Sequence, residues 1–263
     1  DALMSFLEPA TSIEFRRSTL FILATELPIP LTPEQQRKLA TLFLHSLQDT
    51  DHQIAHHAAR ALRTVATPGI LPDLDKLLVS SSTHTSLAVL TALEELASRK
   101  TMRYAIQQQQ LPRHIAALLQ TAEPDTRRQA CYTLASMGGE YTTAVLGTII
   151  LDALHPAHLE AIEALRLVPD IQRPTIINRA VRWLLYALAQ PPEMVQVCAL
   201  DSLSYLIWQA HMQHRHIVLC TITQELLQSG TIFQLLASAS AWVRQRTIEM
   251  LSLLDGQLYN QRI

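Results

Sequence analysis

Histidine is the residue whose number and spacing first suggest chemistry, with 11 copies in 263 residues. His52 and His56 are four residues apart in a helical stretch, the spacing at which two imidazoles can share a zinc ion. The residues between them are Gln, Ile and Ala, so the glutamate of an HExxH metalloprotease motif is missing and no third ligand lies nearby. The sequence therefore predicts no metal site and no cofactor.

Other catalytic motifs are also missing from the sequence. It contains no GxxxxGK[ST] loop, no GxGxxG after a strand, no GxSxG elbow and no cysteine beside an acid–base partner. Neighbouring carboxylates such as Glu94 and Glu95 need no explanation beyond solvation. A second histidine group, placed where one helix ends and the next begins, consists of His211, His214 and His216. We predict that the protein is not an enzyme.

Composition excludes several further classes of protein. The chain is 48% hydrophobic and 17% charged, which is too apolar for disorder, and its net charge of −2 attracts neither nucleic acid nor anionic membrane. The longest uncharged stretch, 226–243, is interrupted by Gln, Ser and Gly, so no membrane span is predicted. We expect a partner that is another protein or another domain of the same parent chain.

The cysteines and the first residues of the sequence give information about the cellular compartment of the protein. Cys131, Cys198 and Cys220 are far apart, with no CxxC pair, and are typical of reduced core thiols in a cytoplasmic protein. The first four residues, DALM, carry no basic leader. We expect a segment of a longer protein that has no secretion signal.

Apolar residues recur with helical periodicity along nearly the whole sequence, and only short segments containing Pro, Ser or Gly interrupt this pattern. When one leucine per unit is taken as an anchor, the second helices of successive helix pairs align. Residues three before the anchor are apolar in every unit, and residues four before it are small or β-branched, as close helix stacking requires. Eleven residues before the anchor stand four good helix N-caps, Ser12, Asp51, Ser82 and Ser240. The anchors are Leu23, Leu62, Leu93, Leu134, Leu165, Leu203 and Leu251.

These columns predict an all-α fold, a right-handed α-α superhelix of about seven helix pairs. We predict one repeat domain over residues 1–263. Its approximate units are 1–29, 30–67, 68–100, 101–140, 141–170, 171–211 and 212–263.

The segments 51–62, 125–130 and 241–251 resemble the second helix of a HEAT repeat, with armadillo-like packing as an alternative in places. The resemblance covers the whole chain and implies a HEAT-like solenoid. HEAT units usually carry an Asp and a basic residue that form a ladder between repeats. Here the column seven residues before the anchor is basic only in part and no regular Asp precedes it. The column reads Arg16, Ala55, Ser86, Arg127, His158, Gln196 and Arg244.

In a HEAT solenoid the second helices line the concave face, so the resemblance implies that their polar stripe binds the partner. One end of this stripe is basic and the other is mixed to acidic, which suits an extended peptide or helix with its own charge asymmetry. The stripe residues that we predict to bind are Arg17, His56, Arg60, Arg63, Arg128, Tyr132, Glu163, Arg166, Asp201, Arg246 and Glu249.

The favoured hypothesis is a non-enzymatic protein-interaction scaffold or sensor module, by analogy with the C-terminal HEAT arrays of bacterial signalling NTPases. The alternative is a nucleic-acid-binding domain similar to the HEAT-like DNA glycosylases. The net charge and an aromatic content of 5% argue against it. A bilin lyase, the third hypothesis, lacks any sign of a tetrapyrrole pocket. The basic track that nucleic acid would need comprises Arg16, Arg17, Arg60, Arg63, Arg127 and Arg128.

Overall fold

A computed structural model describes residues 11–25, 31–80, 82–168 and 174–254, and every regular element in these ranges is helical. Two single-turn 3₁₀ helices, Pro68–Ile70 and Leu165–Leu167, supplement the α-helices. The α-helices are α1 (Ile13–Thr25), α2 (Pro33–Ser46), α3 (His52–Val65), α4 (Leu71–Ser80), α5 (Thr83–Ala97), α6 (Lys100–Gln107), α7 (Leu111–Thr121), α8 (Pro124–Met137), α9 (Glu140–Leu151), α10 (His158–Ala164), α11 (Pro174–Leu188), α12 (Glu193–Met212), α13 (His216–Ser229), α14 (Thr231–Leu236) and α15 (Ala241–Leu254).

The chain divides into two compact units, residues 1–133 and 134–263, so that the division falls within α8. We call the first helix of each pair an A helix and the second a B helix. In unit 1 the B helices α1, α3 and α5 pack one on the next, while the A helices α2 and α4 pack on α3 and α5. In unit 2 the B helices α10, α12 and α15 stack in the same way, as do the A helices α9, α11 and α13. The all-α repeat fold predicted from the columns is confirmed in each unit, and the repeat boundaries stay predictions.

The predicted N-caps explain where the B helices begin. Asp51 accepts hydrogen bonds from the backbone N–H groups of Gln53 and Ile54, at 3.0 and 3.1 Å. The hydroxyls of Ser12, Ser82 and Ser240 each accept a longer bond of 3.4 Å from the backbone N–H three residues later. Each of the four predicted caps therefore satisfies a backbone donor that the helix itself leaves unpaired.

The anchor column forms the core. The first six anchor leucines are at most 1% exposed, whereas Leu251 is half-buried. Cys131 is buried and Cys198 is half-buried, but Cys220 is exposed on α13. The prediction of three core thiols is wrong for Cys220, because its position on an A helix lies outside the columns that set the stacking surface.

The column seven residues before the anchor has a structural role in four repeats. Its side chain reaches back to a backbone carbonyl at or just beyond the C-terminal end of the preceding helix. Helices leave their last carbonyls without intrahelical partners, and these side chains donate to carbonyls in that region. The bonds run from Arg127 to Ala122 (2.7 Å), from His158 to Ile149 (3.3 Å), from Gln196 to Leu188 (3.2 Å), and from Arg244 to Ser238 (2.6 Å) and Ala239 (2.9 Å).

Candidate functional site

The eleven residues predicted to bind a partner all project from B helices or, for Arg166, from the 3₁₀ turn that continues α10. None of them is buried. Six lie on α1, α3 and α8, and five lie on α10 to α15. We call the exposed polar surface of the B helices the B-helix face and describe it separately for unit 1 and unit 2.

In unit 1, Arg17 forms an ion pair with Asp51, the N-cap of α3. Both nitrogens of one edge of the guanidinium contact the carboxylate, so the pair ties α1 to α3. The guanidinium of Arg17 lowers the pKa of Asp51 to about 2, more strongly than burial raises it, and the amide of Ile54 adds to the effect. The same pair raises the pKa of Arg17. Arg17 therefore has a structural partner within the chain.

Arg60 and Arg63 of α3 share one carboxylate, that of Glu95 on α5. The nearest nitrogen of each guanidinium lies 3.7 Å from a Glu95 oxygen. The arginine side chains are 45% and 50% exposed. Two guanidinium groups on one carboxylate leave a positive charge on the surface, where a carboxylate from a partner could approach both arginines.

A groove lies beside this pair, between α1 and α3. His57 lies in it, and burial lowers the pKa of His57, with His56, Arg60 and Arg17 adding to the effect. The ring of Phe21 meets the His57 ring edge-on at 5.5 Å between centroids. A neutral imidazole and exposed apolar side chains thus adjoin the arginines. The groove is lined by Glu14, Arg17, Ser18, Phe21, Ile22, Gln53 and His57.

The α8 residues of the predicted site stand apart from the α3 cluster. Arg128 is 3.9 Å from Asp125 of its own helix, and Tyr132 is half-buried two residues before its anchor leucine. Neighbouring Gln129 donates to Glu94, whose pKa is raised chiefly by burial. On α5 and α8 the side chains Glu94, Asp125, Arg128 and Gln129 thus have partners within the chain.

In unit 2 the predicted residues form one continuous network across three B helices. Arg166 pairs with Glu163 at 3.0 Å, and its guanidinium carbon lies 5.9 Å from the centroid of the Tyr205 ring on α12. Arg246 of α15 then reaches Asp201 of α12 at 3.5 Å and Glu249 at 3.0 Å. All five are among the residues predicted from the sequence to bind a partner, and that role stays a prediction.

Negative charge dominates this network. Burial raises the pKa of Asp201, and the carboxylates of Glu249 and Glu163 raise it further, against the opposing effect of Arg246 and Arg166. Burial also raises the pKa of the Cys198 thiol to about 12, and Glu163 and Asp201 contribute. Since only a thiolate attacks or binds metal, Cys198 is inert at neutral pH.

Three of the histidines, His52, His84 and His211, contact other groups of the protein. The His52 ring lies edge-on against the His84 ring at 4.0 Å between centroids, and His84 Nε2 donates to the Asp49 carbonyl at 2.9 Å. His211 Nε2 donates to the Leu253 carbonyl at 2.9 Å. Across the described ranges, no three His, Cys, Asp or Glu residues converge on a position that could hold a metal ion.

The chain was compared with family models, curated proteins and solved structures. No family model and no curated protein sequence matches the chain. A crystal structure of an engineered protein is 18% identical, with 97% of this chain and 96% of that chain covered and a TM-score of 0.39. The designed armadillo repeat protein YIII(Dq)4CqI is 16% identical over 89% of this chain and 99% of that one, with a TM-score of 0.44. The designed armadillo repeat protein YIII(Dq.V1)4CPAF, solved in complex with the peptide (KR)4, is 15% identical over 96% and 98%, with a TM-score of 0.44.

The stacked A and B helices decide the fold class. Each unit is a repeat α-solenoid. The solenoid resembles HEAT and armadillo repeats in having one layer of first helices and one of second helices. Within the described part of the chain, no helix combines the length and the apolar character that crossing a membrane requires.

The B-helix face of unit 2 also contains two aromatic residues that are not among those predicted to bind. Tyr205 and Trp208 lie 5.6 Å apart between ring centroids, and Trp208 is 39% exposed. Asp201, Tyr205 and Trp208 are spaced four and three residues apart, which places them on one stripe of α12. The spacing of these three residues is visible in the sequence. It is hard to recognise as an exposed stripe because α12 is apolar around much of its circumference.

Proposed function

We propose that this solenoid is a non-enzymatic protein-interaction module whose B-helix face binds a segment of a partner protein or of another domain. The interacting surface of unit 1 centres on Arg60 and Arg63 and takes an acidic segment. That of unit 2 centres on Asp201 and Glu249, takes a basic segment, and offers Tyr205 and Trp208 as aromatic anchors. Partly exposed Tyr, Trp and Arg side chains are the types that dominate binding energy at protein interfaces.

The observation that carries this proposal is the continuity of the unit 2 network. Side chains of the 3₁₀ turn after α10, of α12 and of α15 approach their neighbours across the surface, at 5.9 Å between the Arg166 guanidinium carbon and the Tyr205 ring centroid and at 3.5 Å between Arg246 and Asp201. Surface ion pairs of this kind contribute little to folding, typically about 0–1 kcal/mol each. Their alignment over three repeats therefore supports a role in recognition, where such charges select the partner and speed its approach.

Selection from a phage-displayed library of random linear peptides tests the proposal. We expect the purified chain to enrich basic peptides that bind unit 2, and Asp201→Lys or Glu249→Lys to weaken them by on the order of 10–100-fold. Enriched acidic peptides should lose affinity with Arg60→Glu or Arg63→Glu.

Matched controls place the same charge reversal on A helices. Glu140→Lys at the start of α9 and Arg37→Glu on α2 both change an exposed residue away from the B-helix face. These variants should bind the selected peptides as the unmodified chain does. Equal losses in the control and B-face variants would show that net charge, and not this face, governs binding.

The same contacts weigh against nucleic-acid binding. The six arginines of the basic track all have acceptors within the chain: Asp49 for Arg16, Asp51 for Arg17, Glu95 for Arg60 and Arg63, Ala122 for Arg127 and Asp125 for Arg128. At Arg16, Arg17 and Arg127, phosphate contacts would have to compete with these bonds, and affinity for nucleic acid depends chiefly on such contacts.

We infer a cytoplasmic location from the cysteines. Cys131, Cys198 and Cys220 are free thiols, and thiols persist in compartments that keep them reduced. A single exposed thiol, Cys220, is compatible with a reducing environment and would invite oxidation elsewhere.

A further inference from the structure

A row of side chains along α12 repeats at alternating spacings of four and three residues. This spacing places all of its members on one side of the helix, because an α-helix completes a turn in about 3.6 residues. The row covers about four helical turns, or roughly 21 Å at a rise of 1.5 Å per residue. We call it the α12 stripe, and its members are Met194, Cys198, Asp201, Tyr205 and Trp208.

The α12 stripe is accessible, although α12 is packed against other helices on its remaining sides. Met194, near the start of α12, is 51% exposed, and Trp208, about four turns later, is 39% exposed. Tyr205 lies beside Trp208, with 5.6 Å between the ring centroids. Apolar or aromatic surface is therefore available at both ends of the stripe.

The α12 stripe runs between two neighbouring B helices, α10 and α15. The thiol of Cys198 donates to the carbonyl of Leu159 on α10 at 3.7 Å, and Asp201 lies 3.5 Å from Arg246 of α15. Charged side chains from both neighbours flank the centre of the stripe. Together with Asp201 they comprise three carboxylates and two guanidinium groups, so the centre is negatively charged. The flanking residues are Glu163, Arg166, Arg246 and Glu249.

The residue types of the α12 stripe differ from those of α3, a B helix of unit 1. Four of the same positions, counted from the anchor leucine, fall within α3, and all four are polar, as is typical of a solvated helix face. On α12, four of the five positions carry Met, Cys, Tyr or Trp. One polar residue within an apolar row of this spacing is the pattern by which two packed helices fix their register. The α3 residues are Gln53, His57, Arg60 and Thr64.

We propose that the partner segment of unit 2 is an amphipathic α-helix that packs along the α12 stripe, with a lysine or arginine facing Asp201. The proposed function provides the basic segment, and the α12 stripe specifies that it is helical, so this inference rests on that function. Apolar residues of the segment, themselves four and three apart, meet Met194, Tyr205 and Trp208, and its basic residue sets the register.

A helical probe peptide of about three heptads tests this packing. It carries leucine at the two apolar positions of each heptad, except for one central lysine, and alanine and glutamine elsewhere. Fluorescence anisotropy of the labelled probe measures its affinity for the full chain. Asp201→Lys should weaken binding by on the order of 10–100-fold, because it places two like charges together. A probe with glutamate in place of the central lysine should restore binding to the Asp201→Lys variant.

Substitutions at the ends of the α12 stripe test the apolar contacts. Met194→Glu and Trp208→Glu should each weaken probe binding by on the order of 10-fold, because each places a carboxylate against leucine side chains. Leu151→Glu on α9 and Tyr186→Glu on α11 are matched controls, since these residues are 47% and 43% exposed on A helices. Both controls should bind the probe as the unmodified chain does. Circular dichroism melting should confirm that every variant is folded.

A second probe distinguishes a helical partner from an extended one. It has the same charge as the first, but a central proline on its outer side breaks the helix, so it should bind at least about 10-fold more weakly. Equal binding of the two probes, no effect of Met194→Glu and Trp208→Glu, or binding of basic linear peptides but not of the helical probe would overturn the proposal and leave the proposed function intact. If neither probe nor any basic linear peptide binds unit 2, the proposed function of unit 2 fails as well.

Discussion

The hydroxyl of Thr133 on α8 donates a hydrogen bond of 3.1 Å to the carbonyl oxygen of Leu90 on α5, across the contact between two repeats. Ser202 and Ile162 hold the same positions in their repeats and make the same bond at 3.1 Å. All four residues are buried. Thr133 and Ser202 each stand one residue before an anchor leucine. At these two positions a short hydroxyl side chain thus fixes the register of adjacent B helices.

Removing these hydroxyls should weaken the stacking. Thr133→Val and Ser202→Ala should each lower the free energy of unfolding by about 0.5–1.5 kcal/mol, since each deletes one buried hydrogen bond with little change in shape. The two losses should add, because the sites share no partner. Urea denaturation measures both. Thr64→Val, which removes a bond to Ala61 within the same helix, is the control and should cost less.

Arg244 should hold α15 in place through its bonds to the carbonyls of Ser238 and Ala239. Arg244→Leu leaves both acceptors without this donor, at a cost of about 1–3 kcal/mol. Hydrogen exchange of the α15 amides should accelerate by on the order of 10-fold, because local opening becomes easier. Arg37→Leu, on an exposed face of α2, should leave exchange of α15 unchanged.

Gly147 on α9 leaves room for the ring of Trp183 on α11, because glycine has no Cβ. A Cβ at position 147 would lie 2.3 Å from two ring atoms of Trp183, so Gly147→Ala forces the indole to move. Overpacking of this kind should destabilise the protein by about 1–3 kcal/mol and change the tryptophan fluorescence. At Gly69 the nearest atom would be 3.8 Å away, so Gly69→Ala should be neutral or slightly stabilising. Equal effects at the two positions would contradict this packing.

Acid should release the Arg17–Asp51 pair. The pKa of Asp51 is about 2 in the folded protein and near 3.9 in an unfolded chain. A lowered pKa stabilises the fold above about pH 4, and this contribution is lost as the pH falls towards 2. Asp51→Asn should therefore lower the free energy of unfolding by roughly 1 kcal/mol at pH 6, allowing for screening by solvent, and by much less at pH 2.

Denaturation by urea at a series of pH values measures this difference. Asp73→Asn is the control because Asp73 is exposed and its nearest cation, Lys76, lies 3.5 Å away on the same helix. A gap between Asp51→Asn and the unmodified chain that stays constant from pH 6 to pH 2 would show that the ion pair does not contribute as described.

The stacking was predictable because it depends on side-chain size at fixed spacing. Leucine anchors with small residues four positions earlier suit close helix packing, whichever helices meet. The caps at Asp51 and Ser82 were predictable for a similar reason, since a short acceptor at the start of a helix has one dominant use. These features require no knowledge of distant contacts.

The contacts that satisfy backbone carbonyls were not predictable in the same way. Arg127 and Arg244 stand in a column that no acidic column accompanies, yet their acceptors are carbonyl oxygens, which leave no trace in the sequence. The sharing of Glu95 by Arg60 and Arg63 depends on side-chain reach between α3 and α5.

Photo-crosslinking of a selected peptide to the chain tests the central claim most directly. A peptide that carries a photoreactive phenylalanine analogue at successive positions should attach to side chains of the B helices, α10, α12 and α15 for a basic peptide and α1, α3 and α5 for an acidic one. Crosslinked residues identified by mass spectrometry should include neighbours of Asp201 or of Arg60. Crosslinks confined to the A helices α9, α11 and α13, or to α2 and α4, would contradict binding on the B-helix face.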